Sequence, residues 1–213
     1  MTQPMNQVEA ERILSDHKLA LTNVLAAGWN RWRSLVGKQP ELGAILSNRT
    51  RASLVYDCIR HEATAAFHDD ETVTVSEDRG FLLLTFGNRI ILRFKKFRDG
   101  KLRTSPGSSR QAREYANQVL PGMEELTHLV AGYLPDDVGL DLEQAAITCS
   151  VGANVEWVIE LDLTLVVGGI DEGRVLAPVT HVATSDSTVG TIVRPRRAEG
   201  DKQDADQQAS SER

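Results

Sequence analysis

The sequence has few cysteines, few aromatic residues and no long apolar run. Neither Cys58 nor Cys149 has a Cys or His neighbour at the spacing of a zinc site, so we expect two buried, reduced thiols. No stretch reaches the roughly 18 apolar residues that a membrane span requires. The N-terminus lacks the basic and apolar regions of a signal peptide. We therefore expect a cytoplasmic protein that contacts no membrane.

The motifs that mark enzymes and cofactor sites are also absent from the sequence. The glycines form neither a phosphate-binding loop nor a Gly-x-Gly-x-x-Gly dinucleotide motif. No serine or cysteine nucleophile stands in a recognisable setting with His. We therefore expect no cofactor, and the sequence shows no metal-site motif. The distribution of charge is more informative.

Positive charge is concentrated in one segment of the chain. Residues 89–113 contain nine cations and one acid, a local net charge of +8. The whole chain of 213 residues carries −6, so everything outside this segment carries −14. This separation predicts a surface that binds an anion, either the phosphate backbone of a nucleic acid or an acidic partner protein.

Hydrophobic periodicity divides the chain into helices followed by strands. Apolar residues recur at steps of three and four over 7–36, with a possible break at Gly28, and again over 48–68. A short helix is predicted over 109–119, after a mobile basic loop at 98–110. Strands are predicted over 72–76, 81–86, 89–97, 126–134, 143–150 and 154–162.

These elements predict an α+β fold. The N-terminal helices would pack on one face of an antiparallel sheet of five or six strands. A single domain is expected over 1–162, with its core from about residue 7. Residues 163–193 would form a weakly structured extension. Residues 194–213 are polar and of mixed charge, which predicts a disordered C-terminal tail.

A hairpin displays the basic segment. Gly87 and Asn88 tolerate the positive φ of a tight turn, and the following strand alternates between two faces. Ile90, Leu92 and Phe94 would enter the core, leaving Arg89, Ile91, Arg93 and Lys95 on an exposed face. The alternative is an edge strand whose cations only prevent aggregation. The predicted binding residues are Arg89, Arg93, Lys95, Lys96, Arg98, Lys101 and Arg103.

Two groups of residues are candidates for catalysis. Asp57 and His61 share one stripe of the second helix, so Asp57 could orient His61 as a general base, or both could bind a metal. Glu62, Asp78 and Lys95 follow the order of a restriction-type nuclease core, which uses carboxylates to hold Mg²⁺. However, Arg93 stands where that core needs a second strand carboxylate, and a cation there would repel the metal.

Three segments together resemble an uncharacterised family of actinobacterial and prophage proteins. They are Ile91–Lys96, Leu120–Met123 continuing into Leu129–Tyr133, and Trp157–Glu160. The resemblance covers roughly residues 29–162. Genes of this family are associated with neighbours that encode a helix-turn-helix repressor or a metallopeptidase-like domain. The resemblance therefore implies one half of a toxin–antitoxin or phage-defence pair.

The favoured hypothesis is a toxin, effector or regulator of a bacterial two-gene toxin–antitoxin or phage-defence module. Its basic hairpin would bind nucleic acid or a cognate acidic protein partner. A first alternative is a non-catalytic protein-interaction module with no nucleic-acid role. A second is a degenerate metal-dependent nuclease built on Glu62, Asp78 and Lys95.

Overall fold

Side-chain caps mark where the main helices begin. The computed structural model describes residues 3–105, 107 and 109–166. Asn6 accepts a hydrogen bond from the backbone N–H of Glu9, and Ser47 caps the fourth helix through Thr50 in the same way. The helices are α1 (Gln7–Leu14), α2 (Lys18–Lys38), α3 (Pro40–Ile45), α4 (Asn48–Phe67) and α5 (Arg110–Ala116).

The long N-terminal helix breaks at a different place from the one expected. A short 3₁₀ turn at Ser15–His17 separates α1 from α2, and Gly28 lies inside the unbroken α2. A Cβ at Gly28 would lie only 2.9 Å from the Cα of Ile59 on α4. Gly28 therefore lets the two helices approach closely, which explains a glycine in a helix interior.

Six strands form one sheet whose spatial order follows the sequence order. All neighbouring strands pair antiparallel except the third and fourth, which pair parallel. The α+β class and the N-terminal helices on a six-stranded sheet are confirmed, but the entirely antiparallel sheet is wrong at this pair. The strands are β1 (Val73–Asp78), β2 (Phe81–Phe86), β3 (Ile90–Lys96), β4 (Thr127–Pro135), β5 (Leu142–Val151) and β6 (Asn154–Leu161).

Each face of the sheet has its own hydrophobic core. The helices α1, α2 and α4 cover one face, where Ile90, Leu92 and Phe94 of β3 are buried. The other face is covered by residues 97–126, which we call the crossover segment because they connect β3 to its parallel neighbour β4. Leu102, Tyr115 and Leu120 of this segment pack against sheet residues.

The crossover segment changes the environment of the basic strand. The hairpin between β2 and β3 is confirmed, with positive φ at Gly87 and Asn88. However, β3 is a central strand, and its second face is covered: Ile91 is fully buried and Arg93 is only 3% exposed. The predicted exposed row of cations is therefore wrong, and so is the alternative of a charged edge strand.

The described residues lie in one compact unit of the chain, Met1–Glu172. Beyond β6 they continue only to Val166, so the predicted tail and most of the predicted extension lie outside them. Within the described residues, no helix is long and apolar enough to cross a bilayer. Cys149 is buried and Cys58 half-buried, and both thiols are free.

The contact between α2 and α4 can be tested with two identical substitutions in one helix. We expect Gly28→Ala to destabilise the protein by about 1–3 kcal/mol, because the new methyl group overlaps Ile59. Gly37 also lies in α2, but no group of another described residue outside its own stretch of helix lies within 4 Å of a Cβ built there. Gly37→Ala should therefore stabilise by about 0.5–1 kcal/mol. Urea unfolding measures the free energy of unfolding of both variants. Equal changes in the two would contradict the close approach of α2 to α4.

Candidate anion-binding groove

A groove of about 320 Å³ lies on the crossover side of the sheet. The crossover segment and the turn between β5 and β6 form its walls. Small side chains, among them Ala112, Ala116 and Val155, give it apolar surface, and Asn117 and Ser150 add polar groups. Its cationic residues are Lys95, Arg98, Arg103 and Arg113.

A hydrogen-bonded turn positions two of these cations. The backbone N–H of Arg98 donates to the carbonyl oxygen of Arg103 at 2.8 Å, and Phe97 forms an antiparallel bridge with Thr104. Asp99 accepts from the backbone N–H of Lys101 and from the Arg103 guanidinium. The first part of the predicted mobile loop is therefore a closed turn that holds Arg98 and Arg103 beside the end of β3.

Helix α5 supplies the fourth cation and closes the groove. Ser109 caps the helix by accepting a hydrogen bond from the Ala112 N–H at 3.1 Å. The N–H of Gly152, in the turn between β5 and β6, donates to the Ala116 carbonyl at 2.9 Å. This bond joins the turn to α5, so Arg113 faces the same groove as Lys95.

The charge in the groove is largely uncompensated by protein carboxylates. Arg103 pairs with Asp99 at 2.6 Å. Among the described residues, no carboxylate oxygen lies within 4 Å of the nitrogens of Lys95, Arg98 or Arg113. Burial and the neighbouring Arg93 lower the pKa of Lys95 below its usual value. An anion in the groove would relieve this repulsion.

Arg93 is buried in the core next to the groove, so its charge acts on the groove although its side chain does not line it. Its guanidinium carbon lies 4.1 Å from the centroid of the Tyr115 ring and 4.9 Å from that of Phe81. Its Nε and Nη2 have no hydrogen-bond partner in the described part of the chain, and burial lowers its pKa. An arginine nevertheless remains protonated in a protein. Arg93 is thus a fixed charge within the second core, and it cannot bind a ligand directly.

The structure divides the predicted binding residues among several locations. Lys95, Arg98 and Arg103 line the groove, whereas Lys101 is exposed outside its lining. Arg89 lies at the other end of β3 and pairs with Glu9 at 2.6 Å. Lys96 faces the helical side of the sheet. The sequence does not predict Arg113 as a binding residue. It places Arg113 on a helix after the hairpin, and nothing in the pattern indicates that this helix packs beside β3.

The nuclease candidates do not form a common site. Glu62 forms an ion pair with Arg31 in the helical layer. Asp78 accepts a hydrogen bond from Gln111 of α5. Asp78 and Lys95 therefore lie on the crossover side of the sheet, opposite to Glu62. Within the described part of the chain, no group of three or more His, Cys, Asp or Glu residues is arranged to hold a metal ion.

The predicted pair of Asp57 and His61 is likewise not formed. Asp57 lies 3.9 Å from Arg60 on the same helix, and both Asp57 and His61 are exposed. No ion pair joins Asp57 to His61 among the described residues. The arrangement therefore gives His61 no carboxylate to orient it as a general base.

A Thr–His–Asp cluster lies where α4 leads into β1, and no sequence pattern indicates it. His17 Nδ1 lies 3.4 Å from Asp70, and the Thr72 hydroxyl lies 3.4 Å from His17 Nε2. However, that hydroxyl donates to Asp70 at 2.5 Å, so its proton faces the carboxylate and not the imidazole. The cluster stabilises the turn and does not form an activated nucleophile.

Comparisons of this chain with protein-family models, curated proteins and solved structures found no match. The resemblance to a family of actinobacterial and prophage proteins stays a prediction for this reason. The groove and its charges are therefore the features from which a function can be inferred.

Proposed function

We propose that this protein binds nucleic acid, by holding the sugar–phosphate backbone in the cationic groove. The supporting observation is that four cations line one concave site while Asp99 alone offsets them among the described residues. Arginine presents a planar fork of donors that matches phosphate oxygens, and three of the four cations are arginines.

The shape of the groove favours contacts with the backbone over contacts with bases. None of the described residues that line it is aromatic, so it offers no surface on which bases could stack. Its volume of about 320 Å³ is at the small end of the range for ligand pockets, roughly 300–1,000 Å³. The groove therefore accommodates a single nucleotide of a strand, with its sugar against the alanine side chains.

Charge reversal in the groove tests this proposal. We expect Arg98→Glu combined with Arg113→Glu to weaken binding of a single-stranded oligonucleotide by about 100-fold or more, because two phosphate contacts become repulsive. Both side chains are exposed, so the variant should fold. Fluorescence anisotropy at a fixed, low salt concentration gives the affinities. Wild-type binding should fall roughly tenfold between 50 and 200 mM salt, as expected for two or three phosphate contacts.

The matched control reverses two exposed cations on the helical side. Arg12→Glu combined with Lys38→Glu changes the net charge equally, and it should leave most of the affinity intact. An equal loss in both variants would show that only net charge matters. An acidic peptide that binds more tightly than an oligonucleotide of the same charge would instead favour a protein partner.

We further propose that this binding serves a cytoplasmic two-gene toxin–antitoxin or phage-defence module. The support is the sequence resemblance described above. If the protein is the toxin, expressing it should arrest bacterial growth, and the adjacent gene should relieve the arrest. If it is the regulator, it should lower transcription from the promoter of its own gene pair. Unaffected growth together with unaffected transcription would contradict membership of such a module.

A further inference from the structure

A second cavity, of about 160 Å³, lies on the helical side of the sheet. The first turns of α4, the helix α2 and the loop between β4 and β5 surround it. The polar and aromatic residues that line it include Trp29, Arg51, Lys96, Tyr133, Asp136 and Asp137. None of these residues lines the groove, so the two sites are distinct.

Two cations, Arg51 and Lys96, lie in the lining of this cavity. Trp29 is 3% exposed, and among the described residues neither its indole N–H nor the Nε–H of Arg51 has an acceptor. Both nitrogens are buried, so a ligand in the cavity does not reach them. Burial and the nearby Arg51 lower the pKa of Lys96. Within the described chain, no carboxylate lies within 4 Å of the nitrogens of Arg51 or Lys96. The Arg51 guanidinium and the Lys96 ammonium group would together suit a carboxylate group.

The loop between β4 and β5 adds negative charge to the lining. Asp136 accepts hydrogen bonds from the backbone N–H groups of Leu140 at 2.7 Å and Asp141 at 3.2 Å, which fix its carboxylate in the loop. Asp141 pairs with Arg33 of α2 at 2.6 Å, so the loop is attached to the helical layer. Asp137, the next residue, is exposed. The cavity thus has two cations and two carboxylates in its lining.

We infer that this cavity binds a small zwitterion, of the chemical class of a free α-amino acid. Its carboxylate pairs with Arg51 and Lys96, and its ammonium group lies towards Asp136 and Asp137. A simple carboxylate would meet uncompensated negative charge, and a simple amine would meet the two cations. The volume equals that of roughly five water molecules in the liquid, which limits the ligand to a small side chain.

The two lysines at the end of β3 allow the two sites to be tested separately. Lys95 and Lys96 are consecutive in a strand, so their side chains point to opposite faces of the sheet. Lys95 lines the groove and Lys96 lines the second cavity. The same substitution at each position therefore provides a matched pair of variants.

Calorimetric titration with L-serine, L-alanine, acetate and methylammonium tests the inference. The amino acids should bind at least tenfold more tightly than acetate or methylammonium. Lys96→Met should weaken serine binding at least tenfold, whereas Lys95→Met should leave it unchanged. Asp137→Asn should weaken serine binding and strengthen acetate binding, because it removes one negative charge. Circular dichroism verifies that the variants, all at partly or fully exposed positions, are folded.

Three results would overturn the inference. The first is the absence of saturable binding of either amino acid up to roughly 10 mM, which corresponds to a binding free energy of about −3 kcal/mol. The second is equal affinity for serine and acetate. The third is an equal loss of serine binding in the two lysine variants. Oligonucleotide binding, measured on the same variants, should depend on Lys95 and not on Lys96. Failure of one proposal would therefore leave the other standing.

Discussion

The parallel pairing of β3 with β4 forces the chain between them to cross a face of the sheet. Antiparallel neighbours can be joined by a tight turn, but parallel neighbours need a longer connection that runs from one end of the sheet to the other. Here that connection is the crossover segment, residues 97–126. The helices already cover one face, and the crossover segment covers the other. It therefore buries residues of β3 that a simple hairpin would leave in solvent.

Tyr115 and Gln118 attach the crossover segment to the sheet. The Tyr115 hydroxyl lies 3.0 Å from the carbonyl oxygen of Ile91 and 2.6 Å from that of Leu129, so it bridges the two parallel strands. Gln118 accepts from the backbone N–H of His128 and donates to its carbonyl oxygen and to that of Ser150. Because these bonds hold the segment against β3, the Tyr115 ring covers Arg93 from the crossover side, and with Phe81 of β2 it replaces water around the guanidinium. Contacts of this kind contribute about 2 kcal/mol when the cation is desolvated.

Much of the fold could be predicted from local patterns. The helix α4 and the strands β3 and β6 carry a clear period in their own residues, and Gly87 and Asn88 mark the turn of the hairpin. Alternation also showed correctly which residues of β3 share a face. It could not show what covers that face, since this depends on the partner of β3 on its far side, more than thirty residues away in the sequence. For the same reason the sequence does not show that Arg113 lies close to Lys95. Nor does it show that the residues of the predicted nuclease site lie on opposite sides of the sheet.

The proposed function depends on two kinds of positive charge, the buried Arg93 in β3 and the accessible cations of the groove. One charge is fixed inside the second core, and the groove cations lie where an anion can reach them. Modification with phenylglyoxal, followed by mass spectrometry, tests this division directly, because one native molecule contains both kinds of arginine. Arg98 and Arg113 should react, and an oligonucleotide should protect them, while Arg93 should react only after unfolding. If Arg93 in the folded protein reacts as fast as Arg98, the crossover segment does not cover β3 and the account is wrong.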